Sequence, residues 1–365
     1  MKVVYFSPVF WDSVAQRPHF FVKAAIEYGC SEVLWINPTP SRLPNLQDLM
    51  RITSPNKESS FERDKKIKVF TPKVLPLEPL GKVFDIVSSS EFRSLKRKIE
   101  DFSDENTYIV SGKPSRLVKY IVENVSYKKF ILDIMDDYPE FYRGISKNCM
   151  IYTLDLLVEK SDICIFSSNP LADKFASKAK LSSIIKNACD ETLVEAINAS
   201  KGNRNSTKSD HDRPRVLGYI GSLASWFDWD AVIRIAECNP SCHVKLIGPR
   251  FSAIPQGLPS NISIHPPIEH SRVSTELLMF DFGLIPFKIN QLTNSVDPVK
   301  YYEYCAAGLT VVSSRFGEMS RRIDKGVAID INKFDADVSV DTASPITWKQ
   351  RFFPFFDRHF GVVEE

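Results

Sequence analysis

A lysine and a glutamate stand three residues apart in the segment VDPVKYYEYCAAG, immediately before a short apolar run. This spacing is close to one helical turn, so Lys300 and Glu303 are expected to lie on one face of a helix. Such a pair either forms a solvent-exposed ion pair, worth about 0.3 kcal/mol, or presents opposite charges to two parts of one ligand. The pair alone favours the surface ion pair, and the residues around it decide between the two interpretations.

A second group of acids follows a predicted strand in the first half of the chain. The segment MDDYPEF carries Asp136 and Asp137 just after the apolar run KFILDI. Domains of the α/β class display active groups beyond the carboxyl ends of their strands, and an aspartate there can orient or deprotonate a hydroxyl group. An equally supported alternative is a helix cap or a turn built on Asp-Tyr-Pro.

Short apolar, β-branched runs alternate with helical patterns, which predicts parallel sheets buried on both faces. A polar segment, residues 198–214, interrupts the alternation and predicts a linker. We therefore predict an α/β fold with two Rossmann-like doubly wound domains, residues 1–197 and 215–345, facing a central cleft. A final helix within 346–365 is expected to pack back on the first domain. The predicted strands are Lys2–Ser7, Glu32–Asn37, Ile67–Pro72, Thr107–Gly112, Lys129–Ile134, Ile163–Ser168, Arg215–Leu223, His243–Pro249, Ile262–Pro267, Phe280–Phe287, Leu309–Ser314 and Gly326–Asp330.

Four segments, in this order along the chain, resemble those of GT-B glycosyltransferases, in particular the family 4 enzymes and their teichuronic-acid-biosynthesis-like branch. The resemblance implies transfer of a sugar from a nucleoside-diphosphate sugar, with no further cofactor, to a saccharide acceptor. The acceptor is expected to be lipid-linked, and the setting to be bacterial surface-polysaccharide assembly. The four segments are QRPHFFVKAA (Gln16–Ala25), LDIMDDYPEF (Leu132–Phe141), GYIGSLASWFDWDAV (Gly218–Val232) and DFGLIPFKINQLTNSVDPVKYYEYCAAGLTVVSS (Asp281–Ser314).

The resemblance also assigns roles in the second domain, which holds the nucleotide-sugar in such enzymes. Glu303 matches the carboxylate that accepts hydrogen bonds from both ribose hydroxyls, and Lys300 lies where an ammonium reaches the diphosphate. Many relatives have another glutamate eight residues before Glu303, where this chain has Ser295. Asp297 is the residue expected to contact the donor sugar instead, and Ser295 itself stays a substrate-binding candidate.

The cations that many relatives place after the first strand of the second domain are missing here. The loop SLASWFDWD, which begins at Ser222, contains no lysine or arginine. Ser222 remains a substrate-binding candidate, and Arg250 is expected to supply charge together with Lys300. The DWD within this loop (Asp228–Asp230) resembles a metal-binding motif of the other large glycosyltransferase fold. Because it opens a helical pattern, an aspartate that caps the helix is favoured, and no metal site is predicted.

The start of the first helix offers two more candidates. Arg17 and His19 stand in the segment RPHF just after the first strand. A helix N-terminus attracts anions, so either residue could contact the diphosphate or the sugar. A solvated Arg17 and a packed His19 are equally supported.

A basic helical pattern at Glu91–Phe102 raises the question of a membrane partner. Its apolar residues fall on one face with four cations around them. Such a helix can lie on an anionic membrane, which would make the protein peripheral on the inner face of the plasma membrane. Packing of the helix on its own sheet is the favoured alternative.

The composition is typical of a cytosolic globular protein. The net charge of +2 over 365 residues argues against a nucleic-acid partner. The first residues are typical of a strand rather than a signal peptide, and the seven cysteines contain no CxxC pair. Two other functions stay open. One is a nucleotide-sugar epimerase or an inverting transferase with an aspartate base, and the other is a non-catalytic partner subunit of the same fold.

Overall fold

The computed structural model describes residues 1–43, 63–202, 213–338 and 340–361. The chain divides into two compact units: unit 1 comprises Met1–Lys186 and Phe352–Glu365, and unit 2 comprises Asn187–Arg351. The division therefore precedes residue 197, where the sequence analysis ended the first domain. The predicted linker begins inside a helix that runs to Gly202, and its residues 203–212 lie outside the described residues.

Unit 1 contains one parallel sheet in the order β3-β2-β1-β4-β5-β6-β7. Its strands are β1 (Lys2–Phe6), β2 (Glu32–Ile36), β3 (Ile67–Phe70), β4 (Thr107–Ser111), β5 (Lys129–Ile134), β6 (Ile163–Phe166) and β7 (Ser182–Ile184). Its helices in the described residues are α1 (Arg17–Glu27), α2 (Lys82–Val87), α3 (Ser89–Phe102), α4 (Arg116–Asn124), α5 (Gly144–Lys160) and α6 (Asn169–Phe175).

Unit 2 contains a second parallel sheet in the order β10-β9-β8-β11-β12-β13. Its strands are β8 (Val216–Ile220), β9 (His243–Ile247), β10 (Ile262–His265), β11 (Phe282–Ile285), β12 (Thr310–Ser313) and β13 (Ile329–Asp330). Its helices are α7 (Glu191–Gly202), α8 (Trp229–Cys238), α9 (His270–Leu277), α10 (Gln291–Asn294), α11 (Val299–Ala307) and α12 (Gly317–Asp324). The last helix, α13 (Trp348–His359), begins in unit 2 and belongs to unit 1 from Phe352 onward.

The strand order reverses at the first strand of each sheet. β1 lies between β2 and β4, and β8 lies between β9 and β11. In sheets of this kind, ligands bind beyond the carboxyl ends of the strands next to the reversal. The predicted α/β fold with two parallel Rossmann-like sheets is confirmed, and it points to the loops after β1, β4, β8 and β11.

Every strand that the sequence predicts is present, with ends that differ by a few residues. β8, for example, ends at Ile220 because Gly221 begins a loop, whereas the apolar run continues to Leu223. β7 was not predicted, because the sequence SSI is short and carries two serines. None of the helices in the described parts of the chain is both long and apolar enough to cross a bilayer.

Aromatic side chains from the end of the chain complete the core of unit 1. Phe352 and Phe356 of α13 meet the ring of Phe21 of α1 edge-on, with centroids 5.1 and 5.3 Å away. Phe360 lies 4.5 Å from the ring centroid of Tyr108 on β4. Each of these contacts buries a large apolar area, so the C-terminal helix contributes to the stability of unit 1.

Candidate functional site

Two loops run side by side beyond the carboxyl ends of β8 and β9. The Gly221 N–H donates to the Ile247 carbonyl at 2.8 Å, and the Leu223 N–H donates to the Pro249 carbonyl at 2.9 Å. A Cβ added to Gly248 would lie only 2.0 Å from the Gly221 carbonyl oxygen. Glycine at position 248 therefore lets the two loop backbones approach each other.

The ammonium of Lys300, on α11, lies against the first of these loops. A Cβ added to Gly221 would lie 2.4 Å from Lys300 Cε and 2.6 Å from Nζ, so only glycine leaves room for the side chain. The Nζ atom is 5.5 Å from the ring centroid of Tyr219, a cation–π contact. Burial lowers the pKa of Lys300 below its ordinary value, and the nearby Glu303 carboxylate only partly opposes this shift.

Lys300 and Glu303 do not close the surface ion pair that their spacing permits. In the described parts of the chain, no cation lies within 4.0 Å of the Glu303 carboxylate and no acid within 4.0 Å of Lys300 Nζ. Both residues are partly buried. The lysine is therefore a partly desolvated cation whose charge is not compensated by a contacting carboxylate, which is unusual unless a ligand supplies the negative charge.

The loops bring Ser222 and Arg250 to the same edge of the sheet. Ser222 follows Gly221, is partly buried, and accepts a hydrogen bond on its carbonyl from the Tyr219 hydroxyl at 2.9 Å. Arg250 is exposed, and its backbone forms a parallel bridge with Leu223. Four of the predicted substrate-binding residues, Lys300, Glu303, Ser222 and Arg250, thus lie on the loops and helix at this edge.

Asp297 differs from these four because its charge is already compensated. Its side chain is inaccessible to solvent and pairs with the Arg322 guanidinium. The other carboxylate oxygen accepts from the Tyr302 hydroxyl at 2.9 Å and from the Asn187 backbone N–H at 2.8 Å. Asp297 therefore stabilises the start of α11 rather than offering a free carboxylate, and Ser295 is likewise buried.

In unit 1, Arg17 forms a buried ion pair instead of the solvated or ligand-binding side chain that the sequence analysis considered. Its Nη2 and Nε atoms donate to the two carboxylate oxygens of Asp133 on β5 at 2.9 and 3.0 Å. Its Nη1 atom donates to the Ile185 carbonyl at 2.8 Å. The guanidinium is 4% exposed and Asp133 is fully buried, so this bidentate pair holds the start of α1 on the sheet.

His19 is packed, as one of the two interpretations proposed. Its Nδ1 accepts from the Gln16 N–H at 3.2 Å and so caps α1, which leaves Nε2–H to donate to the Trp11 carbonyl at 3.0 Å. The ring packs against both Trp11 and Trp35, with ring centroids 5.2 and 4.8 Å away. Burial lowers the pKa of His19, which favours the neutral ring that these two hydrogen bonds require.

The adjacent aspartates after β5 are in different environments. Asp137 is buried and its oxygens accept from Lys174 Nζ at 2.7 and 3.0 Å. Asp136 is partly buried, and no side-chain partner contacts its carboxylate in the described residues. Burial raises the pKa of Asp136 to about 7; Arg17 opposes the shift, whereas the charges of Asp133 and Asp137 add to it. Asp136 is therefore the acid that can exchange a proton near neutral pH.

Two buried hydroxyl groups at the carboxyl ends of strands escaped the sequence analysis. The Tyr5 hydroxyl, near the end of β1, and the Ser314 hydroxyl, just after β12, have no hydrogen-bond partner in the described residues. Tyr138, directly after Asp137, donates its hydroxyl proton to the Gly112 carbonyl. A tyrosine or serine in an apolar run carries no signal of this kind, because only the packed neighbours decide whether its hydroxyl is satisfied.

Asp228 caps α8, as its position before the helical pattern predicts. Its carboxylate accepts from the Ala231 N–H at 3.1 Å. No group of three or more histidine, cysteine, aspartate or glutamate side chains in the described ranges could hold a metal ion.

No protein-family model matches the chain, and no curated protein matches it significantly in sequence. Solved structures do match it. A sucrose-phosphate synthase from Thermosynechococcus elongatus is 12% identical with a TM-score of 0.62, over 91% of this chain and 87% of that one. HepE from Anabaena, solved with UDP and glucose, is 13% identical with a TM-score of 0.57, over 98% and 89%. WaaG, a glycosyltransferase involved in lipopolysaccharide biosynthesis, is 10% identical with a TM-score of 0.53, over 89% and 84%.

These similar structures are GT-B glycosyltransferases, so the predicted GT-B fold is confirmed. At 10–13% identity the likeness establishes the fold of the chain. Membership of the teichuronic-acid-biosynthesis-like branch stays a prediction.

The buried Arg17–Asp133 pair yields a stability prediction. Arg17→Met should lower the free energy of unfolding by about 3–5 kcal/mol, because it leaves a buried carboxylate without its partner. Adding Asp133→Leu should recover most of that loss, since the unpaired charge is then removed. Urea denaturation measures both variants, and Arg250→Met, at an exposed arginine, is the matched control with an expected change below about 0.5 kcal/mol. Equal losses in the single and double variants would contradict the pairing.

Proposed function

We propose that the protein is a glycosyltransferase that takes its sugar from a nucleoside-diphosphate sugar bound at the edge of the unit 2 sheet. The observation that carries the proposal is the Lys300 ammonium, packed against Gly221 beyond β8 without a contacting carboxylate. A diphosphate is the kind of ligand that such a site lacks, because it supplies negative charge next to the backbone of a loop at the strand reversal. HepE, which shares the fold, has been solved with UDP and glucose.

The other residues at this edge receive roles that suit a nucleotide. Glu303 is one turn from Lys300 and has no cation in contact, so its two oxygens can accept from the two ribose hydroxyls. Arg250 can add a second positive charge, and Ser222 a hydroxyl group. Charge stabilisation of the departing diphosphate by fixed groups is the main catalytic contribution we expect from this set.

We propose Asp136 as the group that accepts the proton of the acceptor hydroxyl. Its pKa of about 7 makes it a usable base near neutral pH, and it has no partner in the described residues that would hold the carboxylate charged. Asp137 is instead held by Lys174 and is assigned a positioning role. A base of this kind suits an inverting transfer, so inversion is the second candidate outcome beside the retention that the family 4 resemblance implies.

The proposal also includes the acceptor and the biological setting of the reaction. We propose a saccharide acceptor, lipid-linked in bacterial surface-polysaccharide assembly, and transfer without a bound metal ion or other cofactor. The metal-free assignment rests on the cations Lys300 and Arg250, which can neutralise a diphosphate directly. Incubation of the protein with nucleotide-sugar alone tests the epimerase alternative, because an epimerase needs no acceptor.

The roles of Lys300 and Glu303 can be distinguished because each is proposed to contact a different part of the nucleotide. Lys300→Ala should weaken binding of a nucleoside diphosphate about 10–100-fold and leave the nucleoside nearly unchanged, because a charge-assisted contact to phosphate is lost. Glu303→Ala should weaken nucleoside, monophosphate and diphosphate by similar factors, because all three carry the ribose. Calorimetry with uridine, UMP and UDP, and with the guanosine and adenosine series, measures these affinities.

Two further variants sharpen the comparison. Gly221→Ala should reproduce the effect of Lys300→Ala, because its methyl group takes the space of the lysine side chain. Lys325→Ala, at an exposed lysine of the same unit, is the matched control and should bind like the wild type. An unchanged ratio of diphosphate to nucleoside affinity in Lys300→Ala would remove the lysine from the site. A wild-type protein that binds no nucleotide would favour the non-catalytic subunit.

Asp136→Asn should abolish most turnover while leaving nucleotide affinity nearly unchanged, with a loss of about 100-fold or more in kcat. The wild-type rate should fall as pH decreases below about 7, where Asp136 becomes protonated.

Because the folded-state pKa of Asp136 is raised, the wild type loses stability as pH rises from about 4 to about 7, and Asp136→Asn does not. The variant should therefore melt higher than the wild type at pH 8 and equally at pH 4. Full activity in Asp136→Asn would refute the role.

A further inference from the structure

α2 and α3 form a nearly continuous helix in unit 1. The Ser88 N–H donates to the Phe84 carbonyl at 2.9 Å, and the Phe92 N–H donates to the Ser88 carbonyl at 2.9 Å. These bonds carry the helical repeat across the junction between α2 and α3, so residues of both helices share common faces.

The inner face of this helix is covered by the core of unit 1. Phe84, Phe92, Leu95, Ile99 and Phe102 are all buried in the cluster that packs on the sheet. The basic helical pattern left this apolar face open as a membrane contact, with packing on the sheet as the favoured alternative. The face is already occupied, so a membrane cannot use it.

The outer face begins with a second, exposed apolar stripe. Val83, Ile86 and Val87 are 53, 73 and 51% exposed, although each is an aliphatic side chain. Their spacing of three and four residues puts them on one side of α2. We call these three residues the aliphatic stripe.

Cations follow the aliphatic stripe on the same outer face. Arg93 and Arg97 lie two and three turns further along the helix, and neither has an ion-pair partner in the described residues. Together with Lys68 and Lys98 they line an open groove of about 750 Å³ between α3 and the edge strand β3. The face therefore runs from apolar to cationic.

The acids near this face either form ion pairs with lysines or lie toward the far end of the helix. Lys68 is paired with Glu32 at 2.6 Å, and Lys96 with Glu100 at 3.4 Å. Asp101 is the acid that lines the groove, and it lies a full turn beyond Arg97. Arg93 and Arg97 are thus exposed cations on the outer face that no acid contacts in the described residues.

We propose that the aliphatic stripe and Arg93 and Arg97 form a docking face for an anionic phospholipid bilayer. Aliphatic side chains at the end of a helix can enter the interfacial region of a bilayer, while arginines beside them bind lipid phosphates. The charge pattern favours this occupant over a second copy of the chain, because two copies would bring like charges together. The proposal does not depend on the transfer reaction.

Co-sedimentation with vesicles tests the proposal. The wild type should sediment with phosphatidylcholine vesicles that contain phosphatidylglycerol, should sediment poorly with pure phosphatidylcholine, and should be released as salt rises. Ile86→Ser/Val87→Ser and Arg93→Gln/Arg97→Gln should each reduce the bound fraction about fivefold or more. A wild type that ignores anionic vesicles at low salt would overturn the proposal.

Matched controls distinguish binding through this face from non-specific binding by any exposed aliphatic residues or cations. Leu181→Ser/Ile184→Ser removes two exposed aliphatic residues near the other end of the sheet, and Arg234→Gln/Lys325→Gln removes two exposed cations of unit 2. Both controls should bind vesicles like the wild type. Equal losses in the controls and in the test variants would also overturn the assignment.

Insertion of the aliphatic stripe has its own readout. The tryptophan fluorescence of Ile86→Trp should be strongly quenched by vesicles of brominated anionic phospholipid, whereas the fluorescence of a Leu181→Trp control should gain no such quenching. Absence of extra quenching in Ile86→Trp would contradict insertion. Sedimentation equilibrium without lipid is the last arm: a monomer is expected, and a dimer that Ile86→Ser/Val87→Ser dissociates would assign the stripe to self-association instead.

Discussion

A partly buried ammonium with no contacting carboxylate is the constraint on which the account of unit 2 depends. Lys300 occupies this position because Gly221 lacks a side chain and because the Tyr219 ring gives the charge a favourable surface. Its helix, α11, ends at Gly308, which has a φ of 79° and lets the chain turn directly into β12. Loop, helix and following strand thus fix one cation at the strand reversal, where burial disfavours its charge until an anion arrives.

Compensated charges elsewhere in the molecule show what distinguishes this lysine. Arg17 with Asp133 and Arg322 with Asp297 are closed, buried pairs with several hydrogen bonds each. Such pairs fix how the helices α1 and α11 pack on their sheets. Because each charge already has a partner, neither pair offers an uncompensated charge to a ligand. Lys300 and Asp136, by contrast, are partly buried groups whose pKa values burial shifts away from the charged form, as it also shifts the pKa of Lys113; such shifts are common at functional positions.

The features that depend on local sequence pattern could be predicted from the sequence. The alternation of apolar strands and helices predicted both sheets, and the three-residue spacing of Lys300 and Glu303 predicted that they share one face of a helix, which is α11. Pairing between distant residues was out of reach. Arg17 and Asp133 are 116 positions apart, and the partner of Asp297 is 25 positions away. The ion pair that Asp137 forms, and its neighbour Asp136 does not form in the described residues, likewise involves a distant residue, because Lys174 is 37 positions from Asp137.

The pKa of Lys300, measured with and without nucleoside diphosphate, tests the central claim most directly. The ε-carbon NMR signals of the lysines can be followed through a pH titration, with Lys300→Arg used to assign the resonance. The account predicts a pKa below the ordinary lysine value in the free protein, because burial disfavours the ammonium, and a rise on saturation with UDP or the diphosphate that calorimetry selects. A Lys300 pKa that is ordinary in the free protein, or that does not change when the diphosphate binds, would contradict it.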